Sequence, residues 1–135
     1  IGDRVQAVPI DIALLASPLG NDHFLIKKLQ DCWLSHDQFL ANGLGNCVVC
    51  DGRVVSLCFS GYVAGHRHAV VVETLPEYRQ QGFAKLAAAA LLEQYKERGI
   101  TAHWDVMPTN RGSIALAESL GFAKAYTYTV YCFSL

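Results

Sequence analysis

Charge is scarce in this chain and has no dominant sign. Eleven Lys and Arg stand against twelve Asp and Glu, so the formal net charge is −1, and charged residues make up only 17% of the chain. Without a basic surplus there is no electrostatic footprint for nucleic acid or for an anionic membrane surface. No apolar run is long enough to span a bilayer. No charged, apolar, small-residue leader opens the chain, so no secretory signal is visible and a cytoplasmic location is expected. Repeats, low-complexity tracts and linker-like stretches are lacking too, which predicts a single domain over residues 1–135. The first residue is Ile rather than Met, which leaves open what precedes Ile1. What the chain does have is apolar mass: 52% hydrophobic residues, enough for a buried core and far from a disordered composition.

An even, regularly spaced cysteine set is also lacking. Cys32, Cys47, Cys50, Cys58 and Cys132 are odd in number and scattered, which argues against a disulfide framework. Cys47-x-x-Cys50 has the spacing of a metal or redox motif, with His66 and His68 as further zinc ligands under that reading. It sits, however, in Asn46-Cys-Val-Val-Cys-Asp-Gly-Arg-Val-Val, which reads as two strands joined at Asp51-Gly52, a favoured hairpin turn. Residues three apart on a strand face opposite ways. The thiols should therefore diverge as small buried hydrophobes, and neither a bound metal nor a Cys47–Cys50 disulfide is expected.

Periodicity and turn residues place the elements. A first strand is expected over Arg4 to Ile10, and Asp11 to Gly20 is ambiguous. Phe24, Leu25, Lys28, Leu29 and Trp33 recur at helical spacing behind a cap at Asn21 or Asp22. Ser35-His-Asp-Gln38 is a capping box that opens a short helix ending at Asn42-Gly43. Hairpin strands follow at Cys47–Cys50 and Arg53–Tyr62. Gly61 and Gly65 bracket the loop to a strand over His66 to Leu75, and a long helix runs from Gln80 to Arg98, with Gly99 as its stop. Thr101 to Met107 reads as a strand, Pro108 to Leu120 holds a short helix that Gly121 ends, and Ala123 to Phe133 reads as a long final strand.

One stretch organises the rest: Glu73-Thr-Leu-Pro-Glu-Tyr-Arg-Gln-Gln-Gly-Phe-Ala-Lys85. The β-branched run Val70, Val71 and Val72 leads in as a strand that Pro76 must end. Leu86, Ala87, Ala90, Leu91 and Tyr95 lead out at helical spacing. A helix begins with N–H groups that have no intrahelical partner, and with its dipole they form an anion site. Gly82 lets a phosphate approach the backbone, Ala84 keeps the next turn small, and Arg79 and Lys85 put positive charge at the rim. The pattern Arg79-x-x-Gly82-x-Ala84 is neither a dinucleotide fingerprint nor a Walker loop. A second stretch, Asn110-Arg-Gly-Ser113-Ile-Ala-Leu116-Ala-Glu-Ser-Leu120-Gly-Phe122, follows an apolar run with Trp104 and Val106.

With these two motifs in this order, a helix and a strand between them, the chain resembles the GNAT superfamily of N-acetyltransferases from about Val54 to Tyr131. The first motif is similar to the family's acetyl-CoA loop, Arg/Gln-x-x-Gly-x-Gly/Ala after a strand and Pro-Glu-Tyr. The second is similar to its Asn, short helix and Gly-Phe. The resemblance implies an α/β fold with a bent, mixed sheet and helices on both faces. It implies acetyl-CoA as cosubstrate and a primary amine of a small molecule or protein as acceptor. It further implies that the pantetheine arm lies between the fourth and fifth strands, on backbone at Val72, Glu73 and Thr74. The pyrophosphate would meet N–H groups from Gln80, Gln81, Gly82, Phe83, Ala84 and Lys85. Asn110 matches the Asn that touches the cofactor, and it is equally placed to cap a helix. Where family members commonly end in a two-strand hairpin, this chain stops soon after one strand. A bent last strand, a missing one, or one supplied by a partner in a homodimer would each account for that.

Acetyl transfer needs a held thioester, a neutral amine and a stabilised leaving thiolate. Three groups compete as base. Asp105 lies five residues before Asn110, where some protein N-terminal acetyltransferases carry a proposed general-base Glu. Glu73 stands on the fourth strand beside the expected thioester. His66 and His68 form a His-x-His-Ala pattern similar to that of arylalkylamine N-acetyltransferases. Each also has an ordinary reading, as a hydrogen-bond partner, an edge charge or loop residues. The acid departs from the family pattern: the Tyr expected seven residues after the motif Asn is Ala117 here, and Tyr126, Tyr128, Ser113 and Ser119 stand in without a spacing argument. A non-catalytic module of the same fold, binding acyl-CoA or packing on another domain, is therefore the alternative.

Overall fold

The computed structural model describes residues 5–105 and 109–122. Five strands form one sheet in the order β1 (Val5–Pro9), β2 (Gly45–Cys50), β3 (Arg53–Ala64), β4 (Arg67–Thr74), β5 (Thr101–His103). The first four are antiparallel neighbours, and β5 lies parallel to β4. The helices are α1 (Ile12–Ala16), α2 (His23–Cys32), α3 (His36–Asn42), α4 (Phe83–Glu97) and α5 (Arg111–Ser119). The mixed sheet with helices agrees with the expected α/β architecture. The expected final strand, with Tyr126, Tyr128 and Tyr131, lies outside the described residues.

Local chemistry accounts for most of the boundaries. Asp22 caps α2 through Leu25 N–H, and Ser35 caps α3 through Gln38 N–H; such a cap stabilises a helix by about 1 kcal/mol. The ambiguous stretch 11–20 becomes α1, capped by Asp11, and a 3-10 turn at Pro18–Asn21. Asp51 and Gly52 both take positive φ, at 52° and 77°, the conformation that a two-residue hairpin needs. Gly99, at φ 67°, follows the last turn of α4.

Each face of the sheet carries its own core. Leu25 and Leu29 of α2 and Phe39 of α3 pack with Cys47, Val54, Leu57 and Phe59 on one face. Ala87, Ala88, Leu91 and Tyr95 of α4 pack with Val48, Val55 and Cys58 on the other. Cys47 thus belongs to the α2 face while Cys50 packs against the α4 face, so the two thiols diverge. Burial pushes the Cys47 thiol up to about 12, and Cys58 also rises. Both are held as neutral thiols.

Three boundaries differ from the sequence reading. α4 starts at Phe83, not Gln80, because Gln80 and Gly82 take positive φ. The paired part of β5 ends at His103. Gly61 does not open a loop: β3 runs on to Ala64, and the ladder shifts register between Ser60 and Tyr62. Gly61 is the extra residue of a β-bulge. A Cβ there would come within 2.3 Å of Val71 Cγ2, so only glycine lets β3 and β4 approach at this point.

Ser60, next to the bulge, is bonded in every direction. Its N–H donates to Leu44 O at 2.7 Å, and its carbonyl accepts from Trp33 Nε1 at 2.8 Å. Its hydroxyl lies 2.7 Å from both His68 Nδ1 and Tyr95 Oη and accepts from Leu44 N–H at 3.2 Å. A hydroxyl has one proton. Directed at His68 Nδ1, it leaves Tyr95 to donate to Ser60, an arrangement that needs a neutral imidazole. Burial accordingly lowers the His68 pKa from its ordinary 6.5 and raises that of Tyr95. Below pH 6.5 the unfolded chain takes up a proton that native His68 resists, so native stability falls with pH in that window. Thermal unfolding followed from pH 7.5 to 5.5 should show a falling midpoint, with a shallower fall in His68→Gln. An equal slope in both proteins would contradict this account.

Candidate functional site

Among the described residues β5 accompanies β4 only briefly. The strands pair at Arg67 with Thr101, His68 with Ala102 and Ala69 with His103. β4 then continues from Val70 to Thr74, still paired with β3. At about 3.3 Å per residue this leaves a ledge of roughly 16 Å beyond the last β5 pair. The Gly61 bulge on β3 faces the start of that ledge, between the partners of Ala69 and Val70. A bulge increases local twist.

The ledge ends in a tight turn that delivers the chain to α4. Leu75 N–H donates to Val55 O, and Pro76–Tyr78 form a 3-10 turn. Tyr78 packs beside the Phe83 ring at 6.2 Å and beneath the Arg53 guanidinium at 5.8 Å. Arg79 turns back: its Nε donates to Thr74 O at 3.2 Å, and its Nη2 lies 3.7 Å from Glu73 Oε1. Gln80 at φ 62° and Gly82 at φ 82° then reverse the backbone into the helix. Left-handed backbone costs a non-glycine residue about 1–2 kcal/mol, which explains glycine at 82. The first helical bond runs from Leu86 N–H to Gly82 O, so the amides of Phe83, Ala84 and Lys85 precede the helical ladder. Asp11, Asp22, Ser35 and Asn110 cap the other four helices with side chains, but Gly82 offers none. An uncapped helix start with Lys85 beside it has the makings of an anion cradle.

A family model described as GNAT acetyltransferase matches residues 8–131. The chain belongs to the GNAT acetyltransferase family. Among similar proteins, an uncharacterized N-acetyltransferase of Bacillus subtilis (strain 168), YdfB, is 37% identical over 102 residues, covering 76% of this chain and 39% of its own length. The [ribosomal protein bS18]-alanine N-acetyltransferase of Escherichia coli (strain K12) is 28% identical over 76 residues, 56% of this chain and 51% of that protein. The crystal structure of a GCN5-related N-acetyltransferase-like protein from Streptococcus suis 89/1591 superposes with a TM-score of 0.72 at 30% identity, covering 88% of this chain and 46% of that one. The aminoglycoside acetyltransferase AAC(6')-Iy, in complex with a CoA-linked bisubstrate analogue, shares the fold with a TM-score of 0.64 at 19% identity, covering 97% of this chain and 99% of its own. This GNAT chain spans less than half the length of the Bacillus and Streptococcus relatives.

The residues singled out from the sequence of this GNAT chain fall into three places. Val72, Glu73 and Thr74 lie on the ledge, and Gln80, Gln81, Gly82, Phe83, Ala84 and Lys85 form the turn and helix start. Glu73 stands between two cations, Arg79 and Lys28 of α2, the latter 4.0 Å away. His68 is 4% exposed on the α4 face, bonded to Ser60; it is a core residue, not a surface loop residue. Asp105 lies beyond β5, its Oδ1 2.9 Å from His103 Nε2. Asn110 Oδ1 accepts from Ser113 N–H at 3.1 Å as the cap of α5.

The candidate acids have other partners. Ser113 Oγ accepts from Trp104 Nε1 at 3.0 Å, and Ser119 donates to Leu116 O at 2.7 Å within its helix. Ala117 is buried at 7% exposure. Among the described residues no group of three or more His, Cys, Asp or Glu is disposed to hold a metal ion. A groove of about 360 Å³ opens elsewhere, lined by Cys32–Leu34, Gln38, Asn42 and Gly61–Val63 and by none of the loop residues.

Sequence reasoning passed over Lys28 and His103. The signal for His103 was present: two residues before Asp105 on an extended strand is the same face. Lys28 meets Glu73 only through the folded sheet, and no spacing announces it.

Because Arg79 bonds the loop's own start, it acts as a brace. Its pair with Glu73 is partly exposed and contributes only about 0.2–1 kcal/mol, and its bond to Thr74 O about 1 kcal/mol. Arg79→Ala should lower the unfolding midpoint by only about a few degrees while speeding amide exchange in residues 80–85 by roughly tenfold, the rate equivalent of 1.4 kcal/mol. Unchanged exchange there would show that the turn holds itself.

Proposed function

We propose that this chain is an acetyl-CoA-dependent N-acetyltransferase that transfers an acetyl group to a primary amine of a small molecule or a protein. One observation carries the reading: the part of β4 that no described residue of β5 accompanies runs directly into the uncapped first turn of α4. An extended pantetheine arm can add to the backbone of Val72, Glu73 and Thr74 as a strand would. Its pyrophosphate then reaches the amides of Gln81 to Lys85, where the helix dipole favours negative charge. Asn110 borders the cofactor from the far side. The relatives support an amine acceptor, since one is named for a ribosomal-protein alanine and another for aminoglycosides. No helix among the described residues is long and apolar enough to cross a membrane, and the free thiols of Cys47 and Cys58 suit a reducing, cytoplasmic setting.

Catalysis in this reading is mainly positioning: the ledge fixes the thioester and the protein supplies a proton acceptor for the amine. Glu73, held by Lys28 and Arg79, anchors the loop to α2. The thiolate departs without a dedicated protein acid, which is feasible because a thiol's ordinary pKa lies near 8.5. Thiol release from acetyl-CoA with sisomicin and with an alanine-initiated peptide tests the activity. Acetyl-CoA binding without thiol release across an amine panel would favour the non-catalytic acyl-CoA module instead.

Gly82 separates charge from strain. A Cβ at Gly82 meets nothing within 4 Å, although its φ is +82°, so a side chain there has room in the free protein. Gly82→Asp should weaken acetyl-CoA binding in calorimetry by about tenfold or more. Gly82→Asn, which tolerates left-handed backbone without the charge, should weaken it less. Equal, undiminished affinity in both folded variants would move the pyrophosphate elsewhere.

A further inference from the structure

β4 alternates between the two cores, and that alternation aims Glu73. Val70 and Val72 join the α4 core, and Val71 joins the α2 core. Glu73 therefore faces α2. Its ladder partner agrees: Glu73 pairs with Leu57, which is buried in the α2 core. On α2, Leu25 and Leu29 are buried against that face. Lys28, three residues after Leu25, is its neighbour on the helix surface and lies at the margin of the buried stripe. Lys28 Nζ comes to 4.0 Å from Glu73 Oε2, while Arg79 Nη2 stands 3.7 Å from Oε1. The two carboxylate oxygens are thus divided between the guanidinium of the turn before α4 and a primary amine of α2. Lys27, the next residue back, is exposed, whereas Lys28 is half-buried.

We propose that Lys28 is an acetylation site of this chain, modified in cis by acetyl-CoA bound along the β4 ledge; the inference rests on the acetyltransferase reading given above. That reading requires a primary amine as acceptor. Lys28 carries one on a flexible stem, already beside a side chain of the ledge. Arg79, the other cation at Glu73, stays protonated and cannot serve. An ammonium is not a nucleophile, and the Glu73 carboxylate is the group placed to take its proton. One proton passes from Lys28 Nζ to Glu73. The amine lone pair then forms the C–N bond at the thioester carbonyl carbon, and the C–S bond breaks with its electron pair on sulfur. A second amine proton ends on that sulfur as the CoA thiol, the third stays on the amide nitrogen, and Glu73 gives its proton to water. The products are CoA and an uncharged acetyl-lysine. Holding amine and thioester on one chain replaces a bimolecular encounter, so the step is first order in the protein–acetyl-CoA complex. The modification also removes one of the two cations at Glu73 and leaves Arg79 to hold the carboxylate.

The test incubates the chain with acetyl-CoA and no added amine, and reads acetylation at each lysine by peptide mass spectrometry. Calorimetry sets an acetyl-CoA concentration that saturates each variant. Acetylation from solution favours the more exposed amine, so Lys27 is the internal reference. Lys28 should be acetylated at least about tenfold faster than Lys27, with a rate constant that does not change with protein concentration. Both members of the ion pair are partly exposed, so substitutions there should fold. Lys28→Arg keeps a cation facing Glu73 but offers no acceptor, and should lose the rapidly added acetyl group. Glu73→Gln should slow acetylation of Lys28 by about 10²–10⁴-fold and leave that of Lys27 unchanged. Lys28 acetylated no faster than Lys27, a rate constant that climbs with protein concentration, or an unchanged rate in Glu73→Gln overturns the inference. Acetylation of sisomicin or of the alanine-initiated peptide in a parallel reaction would then leave the transferase reading standing. A chain that binds no acetyl-CoA defeats that reading and the inference with it.

Discussion

The candidate site depends on one constraint, the end of β4–β5 pairing at Ala69 among the described residues, and Ser60 with the bulged Gly61 lies opposite that point. Five hydrogen bonds converge on Ser60, from Leu44, Trp33, His68 and Tyr95. They tie β3 to the start of β2, to the end of α2, to β4 and to α4 at a single residue. Buried polar groups left without partners cost about 1–3 kcal/mol each, so this cluster resists rearrangement. With Ser60 fixed, the bulge at Gly61 adds local twist to β3 opposite the last described β4–β5 pair. The core residues at that point make none of the loop's contacts.

From that point the two halves of the site follow on opposite grounds. The anion cradle is a backbone feature: positive φ at Gln80 and Gly82, an uncapped helix start, and Arg79 spent on bracing the turn. It needs few particular side chains, which is why a short motif suffices to mark it. In the proposed reading the acceptor side is a side-chain feature. It depends on which residues of β4 and β5 alternate onto the α2 face, and on Lys28 arriving from α2 to meet Glu73.

The same division explains what was legible in the sequence. Capped helices, the Asp51-Gly52 hairpin and the divergence of Cys47 from Cys50 were all local, and the structure agrees. So were the strand–turn–helix unit around Gly82 and the family itself. The bulge at Gly61 was read as a loop because a glycine near a turn has many local explanations; its cause, Val71 across the ladder, is non-local. α4 was begun too early because apolar spacing does not reveal the reversed backbone at Gln80. His68 was read as opening a strand at the surface, yet partners 8 and 27 residues from itself, Ser60 and Tyr95, draw it into the core. The two-residue spacing of His103 and Asp105 is local, and the structure brings the two side chains together.

The central claim is that CoA binds along the β4 ledge and ends on the first turn of α4. Amide hydrogen exchange with and without CoA tests it most directly, residue by residue. The account predicts slower exchange in Val72–Thr74 and Gln81–Lys85 on CoA binding, with β1 and β2 unchanged, because those two stretches carry the amides facing the gap and the cradle. Bound CoA that leaves both stretches unprotected, or that protects β1 and β2 instead, would contradict it.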